Sequence, residues 1–246
     1  MLKAAQRDAK INGLPSDMTT ESLEDYDLGG VDCPKCNNTG HIAYYRDGIL
    51  YSRECECMNQ RRSLKRIRRS GMTDMLNRYT FGMFEAADDE RKRLKAKAVA
   101  FAEADEGWFI ISGQSGSGKT HLCTAICRRL IERNKNVYYM AWRDESRTLK
   151  AQMNSDEIDP MLKTLKTVDV LYIDDFLKGG FSDADIRLAF EILNARYNNT
   201  RLRTIISTEI DIKQLMEADE ALAGRIYERS KGYRLIAPKE NWRLRG

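Results

Sequence analysis

The stretch "WFIISGQSGSGKTHL", Trp108 to Leu122, decides the fold class of this chain. It begins with an apolar run, and its middle part, Gly113 to Thr120, matches the pattern G-x-x-x-x-G-K-[ST] in full. Glycines let consecutive backbone N–H groups curl around a phosphate, and the start of a following helix adds the positive end of its dipole. The order of strand, glycine-rich loop and helix therefore predicts the phosphate-binding loop of a nucleotide-binding domain.

Residue types within this loop predict separate roles. Lys119 can reach the β- and γ-phosphates of a nucleotide, and the Thr120 hydroxyl can bind Mg²⁺. The predicted nucleotide contacts are consecutive in the chain: Gly113, Gln114, Ser115, Gly116, Ser117, Gly118, Lys119, Thr120 and His121.

The segments around the loop predict an α/β fold. Four further apolar runs cover 136–141, 168–174, 203–208 and 233–238, and helical patterns cover 93–104, 118–134 and 183–198. The apolar runs are continuous rather than alternating, which is typical of strands covered on both faces in a parallel sheet. Ser182 and Asp185 form a capping-box pattern at the start of the last helix. This β-α-β series predicts a parallel sheet with helices on both faces.

Two adjacent aspartates end the run "VLYIDD", Val170 to Asp175. Asp174 is expected to hold the metal's water shell, and Asp175 is expected to activate the attacking water. An aspartate side chain is shorter than a glutamate by one C–C bond, about 1.5 Å, and a misplacement of about 1 Å can cost on the order of 100-fold in rate. Slow hydrolysis is therefore expected. A helix or turn cap is the alternative role for Asp175.

Polar residues at two further places are candidates for the same site. Ser207 and Thr208 end the run 203–208 and are expected beside the γ-phosphate, because ligands bind at the carboxyl ends of parallel strands; a plain strand end is the alternative. Arg225 and Arg229 share one helix face. Either could stabilise transition-state charge on a neighbouring subunit's nucleotide, unless both are ordinary surface arginines.

Four of the six cysteines form two close pairs: "CPKC" with Cys33 and Cys36, and "CEC" with Cys55 and Cys57. Four thiolates from two such pairs suit a closed tetrahedral Zn²⁺ site, and the metal would supply folding energy to a segment that lacks its own apolar core. His41 is the alternative ligand if one thiolate cannot reach. Free thiols and redox chemistry are the competing interpretations, whereas Cys123 and Cys127 are expected to be buried small hydrophobes.

Composition sets the broad class of the chain. Its 246 residues carry a net charge of +4, and 42% of them are hydrophobic, which suits one ordinary domain with a small appendage. We expect a zinc-binding domain over 1–70 that ends in the basic run "RRSLKRIRR" (61–69), followed by an ATPase domain over 71–246. That run fits either a solvated helix face or a phosphate contact. Neither a bilayer-spanning stretch nor a signal-peptide pattern is recognisable, so a reducing cytoplasm is expected.

In its motifs the chain resembles the DnaC/DnaI-type replicative helicase loaders, a branch of the AAA+ ATPases, in versions from phages and low-GC Gram-positive bacteria. The resemblance follows the chain in order: "CPKCNNTGHI" with "CEC", "SGM", "YTFGMF", "GQSGSGKT", "VLYIDDFLKG", "DADIRLAFEILNARYNN", "TIISTE", "GRIYERSKGY" and "NWRLR".

This resemblance implies an ATP-bound factor that grips a hexameric, DnaB-type replicative helicase, helps to open it, and places it on single-stranded DNA. The zinc segment would contact the helicase. Lys119 and Thr120 would be Walker A, Asp174 and Asp175 Walker B, and Ser207 and Thr208 sensor 1, with Arg225 or Arg229 as the arginine finger. Only 38 residues follow the run 203–208, so a C-terminal helical lid is not expected. Head-to-tail self-association would then close the nucleotide site.

Other functions stay open on the sequence. An IstB-type transposition helper shares the ATPase core and the missing lid, although the zinc segment and "NARYNN" favour the loader. From a different class come a phosphotransferase, which would need a substrate lid, and a zinc-bearing DNA-binding regulator, which would need a recognition helix. Neither feature is recognisable. For contact with single-stranded DNA, "YYMAWRDESRTLK" (138–150) and the run 61–69 offer aromatic and basic residues.

Overall fold

A computed structural model describes residues 31–69, 73–152, 160–239 and 241 of the chain. The "SGM" motif, most of "NWRLR" and the polar arm before residue 31 lie outside the described residues. The elements, in chain order, are β1 (His41–Arg46), β2 (Ile49–Glu54), α1 (Cys57–Arg69), α2 (Thr73–Arg78), α3 (Asp89–Glu103), β3 (Trp108–Ser112), α4 (Lys119–Glu132), β4 (Val137–Ala141), α5 (Trp142–Gln152), α6 (Pro160–Thr167), β5 (Val170–Phe176), α7 (Asp183–Tyr197), β6 (Arg203–Thr208), α8 (Ile212–Ala218), α9 (Glu220–Arg229) and β7 (Arg234–Ile236).

Five of these strands form one parallel sheet in the order β4-β5-β6-β3-β7. One apolar cluster packs α1 to α4 against one face of this sheet, and a second packs α5 to α9 against the other. The predicted α/β architecture is confirmed. The order also places β3 between β6 and β7, so that the glycine-rich loop after β3 lies next to the carboxyl end of β6.

The predicted strands match the observed ones closely, with a difference in β5. The sequence predicts a strand over 168–174, whereas β5 continues to Phe176 and carries a register shift against β6 between Ile173 and Phe176. Apolar pattern cannot foresee this extension, because the added residues include Asp175. The capping box at the start of α7 is confirmed, with Ser182 and Asp185 bonding each other's backbone N–H groups.

The cysteine segment is tied to the sheet by α1, which begins at Cys57. The Ser63 hydroxyl accepts a hydrogen bond of 2.7 Å from the Val137 N–H on the edge strand β4, and Arg66 donates to Asn136 Oδ1 at 2.8 Å. Much of the basic run is therefore used within the chain, and Arg61 likewise donates to Val31 O at 3.1 Å. The domain boundary at residue 70 stays a prediction.

Among the described helices, none combines the length and the apolar character needed to cross a bilayer.

Candidate nucleotide site and zinc centre

The candidate nucleotide site lies at the carboxyl ends of the interior strands β3, β5 and β6. The loop between β3 and α4 curves because its glycines adopt positive φ, and Gly118 at the start of α4 has φ 90°. A Cβ at Gly118 would also lie 3.2 Å from the Phe84 ring. An L side chain is disfavoured there on both counts.

Lys119 is buried and closes the loop on itself. Its Nζ donates to the carbonyls of Gly113 and Gln114 at 2.7 and 2.8 Å. Burial lowers the pKa of Lys119, and the nearby carboxylates of Glu209 and Asp175 offset part of that effect. The ammonium thus sits at the loop, where it can exchange its carbonyl partners for phosphate oxygens.

Asp174 is the centre of a polar cluster and is only 8% exposed. Its carboxylate accepts from the Tyr172 hydroxyl at 2.7 Å, from the Tyr139 hydroxyl at 3.2 Å, and from the Ser207 hydroxyl. The Thr120 hydroxyl lies 3.4 Å from the same carboxylate. A hydroxyl and a carboxylate that converge in this way suit Mg²⁺, which prefers hard oxygen ligands. The two tyrosines are additions that no sequence motif indicated.

Asp175 has a left-handed backbone with φ 52°, and its N–H donates to Ser207 Oγ at 3.1 Å. Its carboxylate lies 3.1 Å from Lys178 Nζ, and the same ammonium lies 2.9 Å from Glu209. Burial alone would lower the pKa of Lys178, but its hydrogen bonds to Glu209 and Asp175 outweigh burial and raise it. The candidate base is therefore held in an ion pair that no sequence motif predicts.

Ser207 and Thr208 have different surroundings, although both end β6. Ser207 contacts both aspartates, as described above. Thr208 instead donates to Phe176 O at 2.8 Å and accepts from the Ile210 N–H at 3.0 Å. The Thr208 hydroxyl therefore stabilises the strand ends, and Ser207 is the member of the pair that reaches the polar cluster.

His121 faces away from the carboxylates, toward the segment 79–84. Its Nε2 lies 2.9 Å from Thr80 O, and its ring stacks on Tyr79 with centroids 4.8 Å apart. Burial lowers the pKa of His121, which favours a neutral ring. The His121 ring therefore packs within the chain, between Tyr79 and Phe84.

The chain also returns to the loop after β7. The Ala237 N–H donates to Ser112 O at 2.7 Å, and Gln114 Nε2 donates to Lys239 O. A Cβ on Gly116 would collide with the Asn241 side chain. Residues 237–239 and 241 thus lie against the phosphate-binding loop, a contact that no motif predicted.

Arg225 and Arg229 do not join the site of their own chain. Arg225 donates to Asn194 Oδ1 on α7 at 2.9 Å, and Arg229 donates to Thr200 O at 3.0 Å in the α7–β6 connection. The Arg229 guanidinium also lies 6.0 Å from the ring of Trp108, which begins β3. Trp108 is at the amino end of β3, whereas the loop follows its carboxyl end. Arg229 therefore lies at the end of the strands opposite the loop.

The four clustered cysteines converge as predicted. Their sulfur atoms all lie within 4.8 Å of one another and are buried, with Cys33–Cys55 and Cys36–Cys57 separations of 3.8 and 3.6 Å. A tetrahedral site with Zn–S bonds of about 2.3 Å requires sulfur separations of about 3.8 Å, so the arrangement fits zinc. His41 is exposed on β1, and the four thiols can fill the site without it. Cys123 and Cys127 are buried, as expected, and burial raises the pKa of both thiols.

Comparison with known proteins gives a matching family and several similar proteins. A profile of the family described as "IstB-like ATP binding protein" matches residues 41–231. "Uncharacterized protein YqaM" of Bacillus subtilis (strain 168) is 30% identical over 94% of this chain and 75% of that protein. "Phage-like element PBSX protein XkdC" of the same strain is 28% identical, over 89% of each chain.

Helicase loaders are also among the similar proteins. "Replicative helicase loader DnaC" of Escherichia coli (strain K12) is 28% identical over 52% of this chain and 55% of that protein. The crystal structure of the DnaC helicase loader superposes with a TM-score of 0.59 at 24% identity, covering 68% of this chain and 99% of that one. The crystal structure of DnaI gives 0.57 at 25% identity, covering 68% and 92%.

Proposed function

The chain belongs to the family of IstB-like ATP binding proteins and has the AAA+ ATPase fold, and from this premise we propose that it loads a hexameric replicative DNA helicase onto single-stranded DNA. The observation that carries the proposal is the pairing of a complete phosphate-binding loop with a four-cysteine centre, joined by α1. Similarity to DnaC and DnaI supports the same function. A bacterial cytoplasm, in a phage-infected cell or otherwise, is the setting that this function implies.

In this proposal ATP acts as a timing switch. Lys119 and the loop hold the phosphates, and Thr120 with Asp174 would hold Mg²⁺, which neutralises phosphate charge when bound. Asp175 accepts a proton from the water that attacks the γ-phosphorus, and the bond from that phosphorus to the bridging oxygen breaks to release ADP. The ion pair with Lys178 keeps Asp175 from this role, so hydrolysis is slow until assembly opens the pair.

The same proposal places the arginine finger in a neighbouring subunit. Arg229 lies at the amino ends of the strands, opposite the phosphate-binding loop of its own chain. Head-to-tail self-association of ATP-bound subunits would bring the Arg229 side of one subunit against a neighbour's nucleotide. Arg225, which rests on α7, is the second candidate.

We assign helicase contact to the segment around the zinc centre, Cys33, Cys36, Cys55 and Cys57. Zinc would make this segment rigid, because four thiolates close the site and leave no open position for chemistry. The metal therefore has a structural role in the proposal.

The test is the mass of the complex formed with the cognate replicative helicase, measured by native mass spectrometry with and without ATP. We expect a complex that ATP stabilises, and we expect Lys119→Ala to remove the ATP dependence. Absence of any complex in both conditions would refute helicase loading.

A transposition helper is the second candidate, favoured by the family profile itself. In that case an ATP-dependent complex would form with a transposase instead.

A further inference from the structure

The hairpin of β1 and β2 extends from the zinc centre, and its residues are exposed except for Ile42, which packs against the cysteines. The Cys55 N–H donates to Gly40 O at 2.8 Å, so the two strands start and end beside cysteine ligands. Strands whose faces are not covered by other elements are marginal in water. The zinc centre can hold such a hairpin in place, which leaves its side chains available for a partner.

One face of the hairpin carries an aromatic pair. Tyr44 and Tyr51 are cross-strand partners, with ring centroids 5.7 Å apart and an angle of 22° between the ring planes. They are 42% and 41% exposed. The two rings stack on each other, and their remaining exposed surface offers apolar area of the kind on which unpaired bases stack.

Arginines lie on both sides of this pair on the same face. In the strand register, Ile42 pairs with Arg53 and Arg46 pairs with Ile49, so the tyrosines lie between the two arginines. The Arg46 side chain is 77% exposed and lies 3.7 Å from Asp47. Such an exposed pair contributes little, and a phosphate can replace Asp47 as the partner.

Acidic groups near the base of the hairpin already have cationic partners. Glu54 pairs with Arg62, and Glu56 lies 2.9 Å from Lys35. The opposite face presents the cross-strand pair of Tyr45 and Leu50, which is apolar. The two faces therefore differ in chemistry, and only the Tyr44 face combines aromatic rings with positive charge.

We propose that the Tyr44 face, formed by Tyr44, Arg46, Tyr51 and Arg53, binds single-stranded DNA. The rings accept unpaired bases and the arginines accept the flanking phosphates. A duplex hides its bases from stacking, and an acidic peptide would leave the exposed rings without a stacking partner. This inference rests on the proposed loading function and assigns its DNA contact to the zinc segment, outside the ATPase core.

The experiment measures fluorescence anisotropy of a labelled oligo(dT) with the full-length, zinc-loaded protein. We expect the double variant Tyr44→Ala/Tyr51→Ala to bind at least about 5- to 160-fold more weakly, the range that corresponds to loss of one stacked base. Arg46→Ala/Arg53→Ala should reduce the slope of log K against log salt by about 1.4, or about 0.7 for each lost phosphate contact. Tyr45→Ala/Leu50→Ala on the opposite face is the matched control and should retain wild-type affinity.

Zinc content of each variant checks that the zinc centre, from which the hairpin extends, is still formed. Wild-type affinity in both Tyr44-face variants overturns the inference, and so does an equal loss in the control pair. If these variants bind DNA normally but lose the helicase complex, the face is a protein-docking surface and the inference fails while loading stands. If the helicase never forms a complex with wild-type protein although oligo(dT) binding depends on this face, the loading function fails and the DNA site stands.

Discussion

At the residue scale, Asp175 and Leu177 both adopt positive φ, at 52° and 55°. Side chains with a Cβ rarely take this conformation, and strain of this kind persists where surrounding contacts enforce it, often at functional sites. Here Ser207 accepts from the Asp175 N–H and Lys178 pairs with its carboxylate. The backbone turn that positions Asp175 is therefore enforced from two sides.

Asp175→Asn should bind ATP with wild-type affinity and lose turnover by about 10²- to 10⁴-fold, the usual contribution of a general base. The amide keeps the size of the side chain and cannot accept the proton. Asp175→Glu should not increase turnover, because the site is built around the shorter side chain. Nucleotide binding by calorimetry and phosphate release measure the two properties. Wild-type turnover in the Asn variant would instead indicate a capping role.

Lys178→Met should raise basal turnover by about 2- to 5-fold. The ion pair with Asp175 is partly exposed, and opening such a pair costs about 0.5–1 kcal/mol, which corresponds to this change in rate. Lys178→Arg retains the charge and should behave like wild type. Phosphate release without helicase or DNA is the measurement, and a lower rate in the Met variant would contradict a restraining role for Lys178.

The sequence predicts that Lys119, Thr120 and Asp174 lie together, because a phosphate-binding loop needs fixed spacing and a strand-end carboxylate. It missed Tyr139 and Tyr172, whose hydroxyls reach Asp174. These two residues are cross-strand partners in the parallel register of β4 and β5, and that register is decided by packing rather than by local pattern. Lys178 and Glu209 meet for the same reason, since they follow two different strands.

At the element scale, α1 joins the zinc segment to the edge of the sheet. Edge strands expose unpaired N–H groups that natural proteins cover. Ser63 on α1 accepts from one such group, Val137 N–H on β4, and Ile67 packs in the core beneath α1. The helix whose charge suggested a phosphate contact therefore serves largely to hold two parts of the molecule together.

Ser63→Ala should reduce the free energy of unfolding by about 1–3 kcal/mol, because it leaves a buried backbone N–H without its acceptor. Arg68→Ala on the same helix is the control; Arg68 is exposed, so little change is expected. Chemical denaturation of both variants is the measurement. A Ser63 variant as stable as the control would mean that water replaces the hydroxyl.

The five strands of the parallel sheet and the helices α3, α4 and α7 could be predicted because each carries a continuous apolar run or a helical period of its own, whereas the hairpin of β1 and β2 was not predicted. Arg196 shows where such reasoning ends. Its guanidinium is fully buried and donates to Thr204 Oγ1, to the carbonyls of Leu165 and Val168, and to Arg203 O. An arginine on a helical pattern is ordinarily assigned to the surface, and only the tertiary arrangement of four carbonyl and hydroxyl oxygens makes its burial possible.

At the scale of the whole molecule, the nucleotide loop follows the carboxyl end of β3, and Arg229 lies near the amino end of the same strand. A single chain therefore cannot bring the guanidinium to its own phosphates without unfolding. In the proposed head-to-tail assembly a neighbouring subunit would supply it, and each shared site would use Asp175 from one subunit and Arg229 from the next.

Equal mixtures of Arg229→Ala and Asp175→Asn subunits should recover turnover that neither variant has alone. Some interfaces in the mixture combine an intact Asp175 with an intact Arg229, and an arginine finger contributes about 10³- to 10⁵-fold to rate. Phosphate release with helicase present is the measurement, and Arg225→Ala replaces Arg229→Ala in a parallel mixture. Recovery only in the Arg225 mixture would assign the finger to Arg225, and recovery in neither would exclude action in trans.

The most direct measurement is the amount of replicative helicase retained on circular single-stranded DNA, with and without this protein and ATP. A circle has no end, so a closed hexameric ring must open before DNA can enter it. We predict that the protein with ATP greatly increases the helicase retained on the circle, and that Lys119→Ala does not. Retention that is the same with and without the wild-type protein would contradict helicase loading.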